Sequence, residues 1–137
     1  MADRFETLLV PLSVAVGGAI GALMRWGLAS AVVGGGFPWA TFITNISGSF
    51  ALGVVLVVGE VVGPHKRYRH KPWVRLWRPF MATGVLGGFT TFSTFALELN
   101  RLDVAVAATY LAASVVFGLL AYASGNAVAR MAFKVNA

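Results

Sequence analysis

Phe80-Met81-Ala82-Thr83-Gly84-Val85-Leu86-Gly87-Gly88-Phe89-Thr90-Thr91-Phe92-Ser93-Thr94-Phe95-Ala96-Leu97-Glu98-Leu99 is long enough to cross a bilayer, yet its middle is wrong for a helix that faces lipid. Gly84, Gly87 and Gly88 weaken helical backbone, and Thr90, Thr91, Ser93 and Thr94 crowd hydroxyls into a few positions. Phe89, Phe92 and Phe95 recur at every third residue among them. At membrane depth, irregular backbone and polar groups persist only where protein or a water-filled path surrounds them. The stretch predicts a transmembrane helix, broken at Gly87-Gly88, that lines a pathway.

The rest of the chain supplies the surroundings. Of its 137 residues 58% are apolar and only 12% are charged, about half the share of roughly 25% usual in a soluble domain. Mean hydropathy is +0.77. The apolar residues fall in four blocks, near Leu8–Val33, Trp39–Val62, Pro79–Leu99 and Val104–Ala129. Each reaches the ~20 residues that span a hydrocarbon core. The expectation is an all-α integral membrane protein, a single domain over residues 1–137 with four transmembrane helices. The first block is too long for the apolar core of a signal peptide and carries Arg25, so it reads as a span. Cysteine is absent, which excludes disulfides and thiolate chemistry.

Placement of charge says more than its total of +6. Lys66, Arg67, Arg69, Lys71, Arg75 and Arg78 lie in or beside the loop between blocks two and three, residues 64–78. With four spans this loop shares a side with both termini, which add Arg4, Arg130 and Lys134; the other side has Arg101. Cytoplasmic loops carry the Lys/Arg excess, so both termini are expected in the cytoplasm of a multi-pass inner or plasma membrane protein. Such a basic run fits a membrane surface better than nucleic acid, which is not expected as a partner.

Polar residues inside the spans define the chemistry. In span one, Gly17/Gly21 with Gly18/Ala22 is a small-xxx-small pattern that lets another backbone approach. Arg25 follows on that face; it either snorkels to the interface or stands as a cation at the mouth of a polar path. In span two, Thr41, Asn45 and Ser49 share a face beside Gly48. Asn45 is either an interhelical hydrogen bonder or a donor lining the path. In span four, Tyr110, Ser114 and Gly118 share a face that fits a polar track or packing against span three. His65 and His70 read as surface residues, and Glu60 and Glu98 lie near span ends. No span centre holds the carboxylate that cation and proton carriers use, and no nucleophile–base pair or phosphate loop points to an enzyme. What remains are donors and the positive edges of phenylalanine rings, an inventory suited to a small anion. Four helices hardly enclose a pore alone, so a dimer meeting at the third spans is expected. Unwound carbonyls at such a crossing suit a structural cation.

Three motifs in order, Gly17-Gly18-Ala19-Ile20-Gly21-Ala22-Leu23-Met24-Arg25-Trp26, Thr41-Phe42-Ile43-Thr44-Asn45-Ile46-Ser47-Gly48-Ser49-Phe50 and Gly84-Val85-Leu86-Gly87-Gly88-Phe89-Thr90-Thr91-Phe92-Ser93-Thr94-Phe95, carry a resemblance over almost the whole chain. The chain resembles the CrcB-type (Fluc) fluoride channels. The resemblance implies an antiparallel dual-topology dimer with two fluoride pores that relieve fluoride toxicity, and one structural sodium ion (Na+) at the dimer centre. It implies pore roles for Phe92, Phe95 and Asn45 with Thr91 and Ser93 beside them, and a vestibule role for Arg25. Gly87 and Thr90 would give carbonyls to sodium. Tyr110 and Ser114 would form the span-four track. Ala40 stands where the family often has glycine. The strong charge bias sits poorly with insertion in both orientations; the family also contains paired subunits of fixed, opposite orientation, so the partner is a second copy or an oppositely oriented homologue. Two other classes compete: a small multidrug exporter, which needs an acidic residue where span one has Arg25, and a membrane assembly protein, which leaves the threonine–phenylalanine segment unexplained.

Overall fold

A computed structural model of the chain describes residues 2–32, 35–62 and 72–134, all helices and connecting turns. Four stretches among them are long and apolar enough to cross a membrane: Thr7–Ala31, Trp39–Val62, Val74–Leu99 and Val104–Phe133. They are spans one to four of a multi-pass membrane protein. Spans one, two and four are continuous helices: α1 (Ala2–Ala31), α2 (Trp39–Val62) and α6 (Val104–Phe133). Span three is composite: α3 (Pro72–Arg78), a π-helical segment (Pro79–Leu86), α4 (Gly87–Phe89) and α5 (Phe92–Leu99). Lys66, Arg67, Arg69 and Lys71, with His65 and His70, lie outside the described residues.

Span three differs from the sequence expectation in two places. It begins before Pro79, because the proline is absorbed within the helix. Proline has no N–H and crowds the carbonyl four residues back, and here the α pattern gives way to wider π bonding. The break is also not at Gly87-Gly88, which are helical. It falls at Thr90 and Thr91, whose backbones are extended (φ −75°, ψ 158° and φ −147°, ψ 123°). Gly88 serves close packing against Gly18 instead, and Gly87 is exposed.

Two helix pairs organise the molecule. Span one packs along the π segment and α4, and span two packs along α6. A Cβ added at Gly21 would collide with the Val85 carbonyl, and one at Gly88 with the Gly18 backbone. The expected small-residue face of span one is therefore a backbone-to-backbone seam with span three. The second seam has the same construction: a Cβ at Gly53 would meet Tyr122 and Asn126 backbone atoms, and one at Gly125 the Phe50 carbonyl. An ion pair of 3.0 Å between Glu60 and Arg130 ties the ends of α2 and α6. Little apolar surface is hidden within the protomer. Leu23 and Leu119 are each 66% exposed, as are many neighbours to lesser degree, which suits helices bathed in lipid.

Candidate functional site

The two pairs meet at the break in span three, and Asn45 builds that meeting. Its Nδ2 donates to the Thr91 carbonyl (3.0 Å), and the Thr91 N–H donates to its Oδ1 (2.9 Å). One amide side chain thus replaces the helical acceptor of the Thr91 N–H and adds a donor to its carbonyl, so an extended residue is kept satisfied away from water. The interhelical bond weighed for Asn45 is present; Asn45 also lines a cavity, and its second Nδ2 hydrogen has no partner among the described residues. Gly48 lets span two come this close, since a Cβ there would collide with the Thr90 methyl.

Thr91 then starts the next helix. Its Oγ1 accepts from the Thr94 N–H (3.2 Å) as an N-cap, donates to Thr94 Oγ1 (3.0 Å) and lies 3.3 Å from Ser93 Oγ. Other hydroxyls are spent on their own helices: Thr90 donates to Leu86 O (2.9 Å), Thr44 to Ala40 O (2.7 Å) and Ser49 to Asn45 O (2.8 Å). Ser114 differs. Its Oγ is buried and has no hydrogen-bond partner. Ser114 also lines a cavity of about 420 Å³, together with Asn45, Thr91, Phe92, Phe95, Gly87 and Thr90. Seven of the candidate residues thus line one cavity.

The two phenylalanines stand differently in it. Phe95 is buried, whereas Phe92 is 80% exposed on the protomer surface; their ring centroids are 6.1 Å apart at 41°. Behind Phe95 lies Tyr110, fully buried, with ring centroids 4.9 Å apart. Tyr110 does not line the cavity. Its hydroxyl donates to Glu98 Oε2 (2.8 Å), and Thr41 donates to Glu98 Oε1 (2.8 Å). Ser93 is exposed at the start of α5 and lines no described cavity. Sequence reading passed over Glu98, set aside as a residue near a span end. Its one available signal is helical spacing, three residues after Phe95 on the same side. Phe37, from the loop before α2, was also missed; it packs edge-on against Tyr110 at 5.3 Å.

Arg25 lines a second cavity, about 350 Å³, with Thr41, Thr44, Thr91 and Thr94. Thr91 lines both cavities. Arg25 Nη1 reaches the Thr90 carbonyl at 3.5 Å, a long and weak contact. The carbonyls of Gly87 and Thr90 lie at the break. In an unbroken helix the Thr91 N–H would satisfy Gly87, but it goes to Asn45, and Thr90 is extended. Backbone oxygens that leave the helical pattern are hard ligands of the kind a sodium ion takes, and that of Thr90 is approached here by Arg25 Nη1.

A family profile described as CrcB-like protein, Camphor Resistance (CrcB), matches residues 12–126. The chain is 40% identical over 129 residues to a protein of Nocardia farcinica named Fluoride-specific ion channel FluC 2, covering 88% of this chain and 85% of that one. It is 41% identical over 129 residues to the Fluoride-specific ion channel FluC of Methylobacterium nodulans, covering 90% and 98%. A Rhodospirillum centenum protein of the same name is 38% identical over 128 residues, covering 88% and 95%.

Proposed function

The chain belongs to the CrcB-like protein family, and on that premise we propose that it is a fluoride-selective channel which lets cytoplasmic fluoride leave the cell. The observation that carries the reading is the cavity lined by Asn45, Phe92, Phe95 and Ser114, the last a residue whose hydroxyl is buried and unpartnered. A buried hydroxyl without a partner is costly, so a site that keeps one is a site where something arrives to accept its proton. Asn45 offers a second donor, and the ring edges of Phe92 and Phe95 offer positive potential. Fluoride is small and accepts short, strong hydrogen bonds, so closely set donors replace its water. Chloride is too large to approach several at once. Arg25, in the second cavity that Thr91 also lines, concentrates anions at the entrance. The protein moves an ion and transforms no substrate, so it is not an enzyme.

The working unit in this reading is an antiparallel dimer with two pores. Phe92, 80% exposed beside the cavity, gives one wall of a path that a second subunit would cover. Gly87 and Thr90 would hold a sodium ion between the subunits, where it offsets the repulsion among helix ends that meet there. Both termini lie in the cytoplasm by the charge rule.

Flux from loaded liposomes tests the proposal. Purified protein should release fluoride quickly and chloride not at all. Equal release of the two ions would end the fluoride reading, and no release of either would favour an assembly role.

A further inference from the structure

One feature outside the pathway lies where α2 ends and span three begins. Arg78 is exposed, yet its stem is not loose. A Cβ added at Gly59 would sit 3.1 Å from both Cγ and Cδ of Arg78, and 3.5 Å from its Nε. Glycine at this position leaves a seat over which the aliphatic stem lies. The neighbouring carboxylate of Glu60 is bonded to Arg130 at 3.0 Å. Among the described residues Arg78 has no hydrogen bond or ion pair. Arg75, also exposed, is three residues earlier on α3 and so on roughly the same side. Both arginines lie in the first turns of the apolar stretch Val74–Leu99, with Trp77 between them. That is headgroup depth, the level at which tryptophan and arginine anchor a membrane helix.

We propose that Arg78, seated on Gly59 and flanked by Arg75, binds the phosphate of an anionic phospholipid at the membrane face that carries the basic loop. A guanidinium presents a planar fork that matches a phosphate's two free oxygens. A fixed stem lowers the ordering cost of each such contact. Glu60, the nearest carboxylate in sequence to Gly59, is engaged by Arg130, and in sequence the stretch before α3 is rich in Lys and Arg. A zwitterionic lipid carries the same phosphate but its amine meets repulsion here. Free phosphate lacks the acyl chains that would lie against the exposed apolar surface of the spans. Neither Arg78, Arg75 nor Gly59 lines either described cavity, and the proposal does not depend on which ion the protein conducts.

The test counts lipids on the purified full-length protein in detergent by native mass spectrometry. Phosphatidylglycerol, phosphatidylcholine and inorganic phosphate are titrated separately. Wild-type protein should retain phosphatidylglycerol in preference to the other two. Arg78→Gln should weaken that retention about five-fold, the factor equivalent to about 1 kcal/mol per basic residue near a membrane surface. Gly59→Val should weaken it comparably with the charge unchanged, because the side chain displaces the stem. Arg78→Lys, which keeps charge and loses the fork, should fall between. Arg101→Gln, on the opposite side, should leave it unaltered. Equal retention of both lipids by the wild type, or undiminished phosphatidylglycerol on Arg78→Gln, overturns the proposal. Competition by inorganic phosphate alone, as strong as by the lipid, overturns the lipid assignment. Should Gly59→Val fail to fold, Arg78→Gln and Arg78→Lys decide.

Discussion

Asn45 holds two functions in one amide: it satisfies the backbone of Thr91 at the break and keeps a donor at the cavity. These separate by substitution. Asn45→Ala leaves the Thr91 N–H without a partner, at about 1–3 kcal/mol, and takes one of two donors from its carbonyl. It should lower the unfolding temperature in detergent as well as fluoride flux. Asn45→Asp keeps an acceptor for the Thr91 N–H but loses the donor and brings a negative charge to an anion path. It should preserve more stability than alanine and still abolish flux. An aspartate variant that conducts normally would remove Asn45 from the path. The phenylalanines separate similarly. Phe92→Ile and Phe95→Ile each remove a polarised ring edge, and each should cut fluoride flux at least about tenfold, the factor that about 1.4 kcal/mol represents. Phe95→Ile should also loosen the protomer, because Phe95 packs on Tyr110, whereas exposed Phe92 supports little within one chain. Undiminished flux in stable dimers of both variants would take the rings out of the pathway.

Helix-level features were partly legible. The Gly17/Gly21 spacing announced a close helix contact, and the structure supplies one, with span three as the partner. Substitution tests it directly. Gly21→Ala meets the Val85 carbonyl and Phe89 N, which are backbone and cannot swing aside, so it should cost about 1–3 kcal/mol or more of stability in detergent melts. Gly27→Ala meets nothing within 4 Å and should be neutral or slightly stabilising, since alanine is the better helix former. If both variants melt alike, the seam is not what holds spans one and three. The location of the break was not legible, and the reason is physical. Local propensity points to Gly87 and Gly88, but the backbone opens where a partner from another helix replaces the helical bonds. That partner is Asn45, 46 positions from Thr91 in the chain. Glu98 escaped attention for a similar reason. Its significance arises only when Thr41 and Tyr110, from two other helices, converge on its carboxylate. Span number, by contrast, was fixed by length and hydropathy, which need no tertiary information.

At the scale of the whole molecule the open question is which way the chain faces. Nine Lys/Arg fall on the side of the termini against Arg101 opposite, a bias that should place both termini in the cytoplasm. An antiparallel dimer needs one subunit inverted. A chain of fixed orientation can supply only one of the two, and copies inserted alike cannot bring their third spans into the same crossing. The site geometry sharpens this, because Phe92 and the Gly87 surface are exposed on the protomer, and the cavity beside them lacks a wall. A lone, uniformly oriented chain should therefore be inserted but inactive in cells. Terminal tags on cells expressing this chain alone should be reached only after permeabilisation. Fluoride resistance should then appear on co-expression of a homologue with the opposite charge bias. Tags accessible equally from both faces, with resistance from the single chain, would instead establish a homodimer of dual topology. In that case the basic residues serve something other than orientation. The anionic lipid contact at Arg78 is then the first role to test, since Arg78→Gln would reduce lipid retention and leave the tag distribution unchanged.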